Sequence, residues 1–101
     1  MNDFAAYGRM TARPGQRDAL IEEIRAAIAA LGDPPGLLDY TINTALDDPD
    51  TVWVTEIWTT KAAHDTATRT KPNKERTARF AELLAAAPES VYGEVVQRLG
   101  H

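Results

Sequence analysis

The sequence has no cysteine. That excludes a disulfide scaffold, a cysteine-based zinc site, a thiol nucleophile and a Cys-ligated iron–sulfur cluster. Histidine occurs twice, at 64 and 101, and serine once, at 90. Ser90 falls at the expected start of a strand, so a Ser-His-Asp triad is not indicated. No glycine-rich phosphate loop, dinucleotide fingerprint or His-x-x-x-His pair occurs. The expectation is no metal site and no bound cofactor. No run approaches the roughly 18 apolar residues of a membrane span. The opening Met1-Asn2-Asp3-Phe4 carries an acid and no basic leader, so the cytoplasm is the expected location.

A surplus of positive charge is also missing. The formal net charge is -4 over 101 residues. Residues 1–50 hold four arginines against nine acids, and residues 51–101 hold seven Lys/Arg against six acids. Neither half has the field that nucleic acid usually requires. The basic stretch Arg69, Lys71, Lys74, Arg76, Arg79 has Glu75 inside it and reads as a solvated helix face or an anion-binding rim. The length allows one domain over residues 1–101, with its core at about 3–99. A chain this short buries only about two-thirds of the surface it exposes when unfolded. A core and a roomy closed pocket together would strain it.

What is present is a regular succession of elements. Residues 3–12 alternate with period two, using small side chains, and predict a strand. Arg13-Pro14-Gly15 breaks it, and the proline suits a helix start. Leu20, Ile24, Ala27, Ile28 and Leu31 then form a narrow helical stripe. Gly32 is placed to close that helix in the left-handed conformation. After the turn Asp33–Gly36, residues 37–46 predict a second strand, with Leu38, Tyr40, Ile42, Thr44 and Leu46 on one face. Asp47-Asp48-Pro49-Asp50 is a turn. Residues 51–59 form the clearest strand: Val52, Val54, Glu56 and Trp58 face one side, and Trp53, Thr55 and Ile57 the other. Thr59 or Thr60 can cap a short helix over about 61–70. Pro72 restarts it, and the stripe Phe80, Leu83, Leu84, Ala87 carries it to about Ala87, where Pro88 stops it. Residues 90–99 predict a last strand.

The order β-α-β-β-α-α-β, with the last two helices as one broken crossover, is the α+β, ferredoxin-like arrangement. It predicts a four-stranded antiparallel sheet with helices on one face. Large apolar groups on both faces of the central strand then call for a second cover, a homodimer.

Candidate chemistry gathers after the third strand. Glu56 and Trp58 share a face, and His64 follows one short turn later. Trp58 offers a flat wall for a planar ligand. Histidine is the side chain whose ordinary pKa, about 6.5, allows proton exchange near neutrality. The plainer alternatives are Trp58 as core, His64 as a surface residue beside Asp65, and Glu56 as a structural carboxylate. Tyr40 and Asn43 lie on opposite faces of their strand, so at most one faces this gap. Phe80, from the following helix, is a further candidate for the ligand site. His101 ends the chain and is expected to be disordered.

The segment Glu56-Ile57-Trp58-Thr59-Thr60-Lys61-Ala62-Ala63-His64-Asp65 resembles the central signature of the antibiotic biosynthesis monooxygenase (ABM) family, in which a Glu-x-Trp strand end runs into a short helix. Pro34-Pro35-Gly36-Leu37-Leu38-x-Tyr40 and the Asp-Asp-Pro turn at 47–49 also match. The resemblance implies that two sheets pair into a dimeric α/β barrel, with a pocket between sheet and helices in each subunit. It also implies oxidation of a small aromatic (phenol, quinol or polyketide anthrone type) by O₂ without a cofactor. Trp58 and Glu56 match the family's tryptophan and the acid before it. Many members place a histidine about nine positions after the tryptophan; here that position is Ala67, and the histidine stands at 64. The haem-degrading branch is less similar. The first strand has no asparagine, Ala67 stands where the helix tryptophan would be, and residues 66–87 contain no histidine. His64 is thus the expected proton acceptor, with Glu56 as the alternative. A non-catalytic dimeric binding or stress-related module, or a cyclase or isomerase, would use the same fold.

Overall fold

The computed structural model describes residues 2–99; the expectation for His101 lies outside them. The elements run β1 (Phe4–Thr11), α1 (Arg17–Leu31), β2 (Leu37–Thr44), β3 (Thr51–Trp58), α2 (Lys61–Thr68), α3 (Lys71–Ala78), a 3₁₀ segment (Arg79–Leu83) and β4 (Glu89–Glu94). The sheet order is β2-β3-β1-β4, and every pairing is antiparallel. This is the ferredoxin-like α+β fold.

Local chemistry sets the boundaries. Gly32, at φ 71°, ends α1. Thr60 caps α2, its Oγ1 accepting from the Ala63 amide at 3.0 Å, and Thr70 caps α3 by accepting from the Asn73 amide at 3.2 Å. Asn73 also donates from Nδ2 to the Thr68 carbonyl at 2.8 Å, tying the two helices across the break at Arg69–Thr70, with Pro72 in the first turn of α3. Arg17 donates to the Asp48 carbonyl at 2.9 Å and so anchors the start of α1 on the β2–β3 turn.

Four expectations need correction. Pro14 is not in the helix; it lies in a turn, and α1 begins at Arg17. The helix expected to reach Ala87 ends at Ala78, and Leu84 instead bridges Ala12 at the end of β1. Arg13 donates its amide to the Leu83 carbonyl and Ala85 donates to the Thr11 carbonyl, each at 2.8 Å. Backbone pairing with β1 thus overrides the helical stripe. The last strand stops at Glu94 rather than 99, leaving Val96 and Leu99 exposed. Finally, a bulge between Leu37 and Asp39 turns Leu37 toward Trp58, while Leu38 is exposed and Leu46 lies outside the strand, fully exposed.

The interior is split in two. Met10, Ala12, Leu20, Ile24, Val52 and Val54 form one buried cluster beneath α1. Phe4, Ala6 and Trp58 form the other, with Leu37, Ala63 and Ala67 packed on it. Along β3 the inward residues run Val52, Val54, Glu56, Trp58, and the division falls at Glu56. A carboxyl cannot join an apolar core without a partner, so the packing parts there.

Candidate active site

The floor of the site is read directly from strand register. One row across the sheet is Tyr40–Glu56–Ala6–Tyr92, and the next is Ile42–Val54–Gly8–Ser90. Ala6, Gly8 and Ser90 are small, so the floor sits low under the helices. The small-residue character of β1, visible in the sequence, is what leaves space. A cavity of about 550 Å³ results. Its walls include Tyr40, Glu56, His64, Phe80, Leu84 and Tyr92. A second lobe of about 380 Å³ shares Tyr40, Glu56, His64, Phe80 and Tyr92 and runs on toward Ile28, Leu31 and Asn73. The larger lobe is lined mostly by apolar groups, and Tyr40 and His64 lie within electrostatic reach of Glu56 in its wall, a pattern common in small-molecule sites.

Of the five residues singled out in the sequence, four face this space: Tyr40, Glu56, His64 and Phe80. Trp58 does not. It is fully buried, with 0% exposure, between Phe4 and the start of α2. Its indole Nε1 donates to Glu56 Oε1 at 3.0 Å. The flat-wall position expected for Trp58 is taken by the rings of Phe80, Tyr40 and Tyr92, and Trp58 stands behind the carboxyl, fixing one of its oxygens.

Burial pushes the Glu56 carboxyl above the ordinary carboxylate range; the Trp58 hydrogen bond and the nearby His64 pull back against that rise. Burial likewise drives Tyr40 upward, and the Glu56 charge adds to the effect, so Tyr40 keeps its proton and can donate a hydrogen bond into the cavity. His64 is buried, with 8% exposure. Its ring lies edge-on to Trp58 at 5.6 Å between centroids and touches Phe4 at 5.2 Å and Tyr92 at 5.7 Å. The plainer alternative, His64 as a surface residue, does not hold, because α2 turns back over the sheet and directs position 64 inward. Its Nδ1 lies 3.0 Å from Asp65 Oδ1. Asn43 is not part of the site; it is engaged with Thr41 and the Trp53 carbonyl on the opposite face.

Tyr92 and Ser90 are site residues that sequence reasoning missed. Only the pairing of β4 with β1 brings them opposite Ala6 and Gly8. Alternation in 90–99 was the available signal, but it does not give register. Ala67, where many family members have histidine, packs instead on the Trp58 cluster. Positions 64 and 67 share one helix face. Among the described residues no cluster of three or more His, Asp or Glu is arranged to hold a metal ion.

Residues 3–72 match the profile of one protein family, described as Antibiotic biosynthesis monooxygenase. The chain belongs to that family. A crystal structure from Chloroflexus aurantiacus bearing the family's name is 31% identical, with 97% of each chain covered and a TM-score of 0.81. SnoaB from Streptomyces nogalater, a cofactor-independent oxygenase, superposes over 100% of both chains with a TM-score of 0.85 and 16% identity, a likeness of fold. A conserved protein from Methanosarcina mazei, 18% identical, covers 93% of each chain with a TM-score of 0.85. No curated protein matches the sequence. The family match ends before Phe80, Ser90 and Tyr92, so one wall of the ABM cavity in this chain lies beyond the matched segment.

Proposed function

We propose that this chain is a cofactor-independent monooxygenase that oxidises a small flat phenol, quinol or anthrone-type aromatic with O₂, and that it works as a homodimer. The observation carrying the reading is that His64, Glu56 and Tyr40 all line one mostly apolar cavity. Family membership supports it. So does the likeness in fold to a cofactor-independent oxygenase.

The chemistry follows from the substrate. A deprotonated phenol or anthrone is electron-rich enough to reduce O₂ itself. For an anthrone-type carbon, the CH₂ loses two hydrogens and gains one oxygen atom as C=O. The second oxygen atom leaves as water, and all electrons come from the substrate. The protein has to bind the ring away from water, remove a proton and steady the resulting oxyanion. His64 takes the proton, with Glu56 as the alternative acceptor. The Tyr40 hydroxyl donates to the oxyanion, and Phe80 and Tyr92 flank the ring.

The dimer reading rests on the sheet face turned away from the helices. It carries Tyr7, Trp53, Ile57 and Val91, with Tyr7 and Val91 exposed. These apolar side chains share the face with polar ones such as Thr41 and Thr55, and their exposure to water favours a cover.

The test is O₂ uptake and product formation on a panel of hydroquinones and anthrones, with chelator present, for wild type, His64→Ala and Glu56→Gln. O₂ consumption above the uncatalysed rate, lost in the variant of the true acceptor, is the expected result. Turnover that continues without O₂ would replace the reading with an isomerase or cyclase. No turnover on any substrate would leave a binding module.

A further inference from the structure

Asp65 follows His64 on α2, and in sequence the pair reads as two neighbouring surface groups. In the structure the ring is buried and the carboxylate sits at its rim. The two carboxylate oxygens are divided between different partners. Oδ1 faces His64 Nδ1 at 3.0 Å. Oδ2 accepts from Lys61 Nζ at 2.7 Å and lies 3.7 Å from Arg69 Nη2. Lys61 stands one turn before Asp65 at the start of α2, and Arg69 one turn after it, just past the helix end. Lys61 first, and then His64 itself, favour the charged form of Asp65, and Lys61 holds the carboxylate in place from outside the cavity.

We propose that Asp65 is a positioning residue that sets the tautomer of His64, keeping the proton on Nδ1 and the Nε2 lone pair open to the cavity. The inference rests on the reading of His64 as proton acceptor. An ionised carboxylate has no proton to give, so its contact with Nδ1 is favourable only when Nδ1 carries one. The opposite tautomer would set the Nδ1 lone pair against the lone pairs of Oδ1. Among the described residues Nε2 has no hydrogen-bond partner, and no buried side-chain nitrogen there lacks one. Nε2 is thus open rather than sealed in the core, and the cavity is the space that His64 lines. A lone pair at Nε2 can take a proton from a bound phenol; an Nε2–H cannot. The rings of Phe4, Trp58 and Tyr92 around His64 fix the plane of the imidazole, and Asp65 fixes its polarity.

Nitrogen-15 NMR of the histidine rings reads this directly, at a pH where the ring is neutral. The sequence has only two histidines, and His64→Gln assigns the signals. Wild type should show His64 protonated on Nδ1. Asp65→Asn preserves size while its amide can donate to Nδ1, so the ratio should invert toward Nε2–H. In the oxygenase assay the same variant should lose at least about 10-fold in kcat, with KM nearly unchanged. An Nε2–H ring in wild type overturns the proposal. So does a ratio that Asp65→Asn leaves unmoved, and Asp65→Ala, read the same way, guards against a fold defect in one variant. If the tautomer inverts while kcat holds, the positioning role stands and the reading of His64 as proton acceptor falls.

Discussion

Replacing Trp58 by phenylalanine tests whether the indole is there to hold Glu56. The substitution removes one hydrogen bond, the 3.0 Å contact from Nε1 to Glu56 Oε1, and leaves a void in a site with no exposure. The void costs about 1–2 kcal/mol at any pH. The hydrogen bond behaves differently. It favours the charged carboxylate and draws the Glu56 pKa down against the burial that raises it. A hydrogen bond to a charged group contributes about 1.5–3 kcal/mol, and this one does so mainly when Glu56 is ionised. With its folded-state pKa above the unfolded value, Glu56 contributes stability below its ordinary range, and that contribution is lost as pH rises through the folded pKa. Without the indole, the loss is steeper. Urea unfolding of both proteins at about pH 4 and about pH 8 measures this, other carboxylates cancelling in the difference. The gap between wild type and Trp58→Phe should widen by about 1.5–3 kcal/mol toward the higher pH. A gap equal at both values would refute the argument and make Trp58 a packing residue alone.

Three further outcomes follow from the geometry. Gly36→Ala should cost more than about 2 kcal/mol in thermal or urea unfolding, because φ is 89° and an added Cβ would lie 2.7 Å from Ala63 Cβ and 2.8 Å from Thr59 Oγ1, at the entry to α2. The Lys61 and His64 hydrogen bonds bring Asp65 down to about 2. Its stabilising contribution is therefore complete above the ordinary carboxylate range and lost as pH falls through about 2, so Lys61→Ala should move acid unfolding, followed by circular dichroism, to higher pH. Tyr7→Lys together with Val91→Glu should convert the proposed dimer to a monomer in analytical ultracentrifugation, with the secondary structure retained.

Much of this architecture was legible in the sequence because it follows from local periodicity. The alternation of β3, the stripe Leu20/Ile24/Ala27, the Gly32 stop and the Thr60 cap each act over a few residues, and the structure keeps them. The misjudged features depend on partners distant in the chain. Phe80, Leu83 and Leu84 have helical spacing, yet pairing of this segment with Thr11–Arg13 outweighs a helix propensity of only tenths of a kcal/mol per residue. The bulge at Leu37/Asp39 and the placing of Tyr92 opposite Ala6 are matters of register, which period-two alternation does not encode. For the candidate site, the spacing of Glu56, Trp58 and His64 pointed to three side chains that the structure does bring together. It did not distinguish a ring that faces the ligand from one that stands behind the carboxyl.

The segment that leaves α3 and enters β4 forms one side of the cavity through Ala81, Leu84 and Pro88. Both of its ends are fastened to the same strand. Near Leu84 it is bonded to Thr11 and Arg13, including a 3.2 Å contact from Arg13 Nε to the Leu84 carbonyl, and beyond Pro88 it pairs with β1 as β4. Such a segment behaves as a fixed jamb rather than a swinging door. Its backbone cannot lift at either end without breaking hydrogen bonds to β1 or to the residues that follow it. Access to the cavity then does not wait on this stretch of backbone opening.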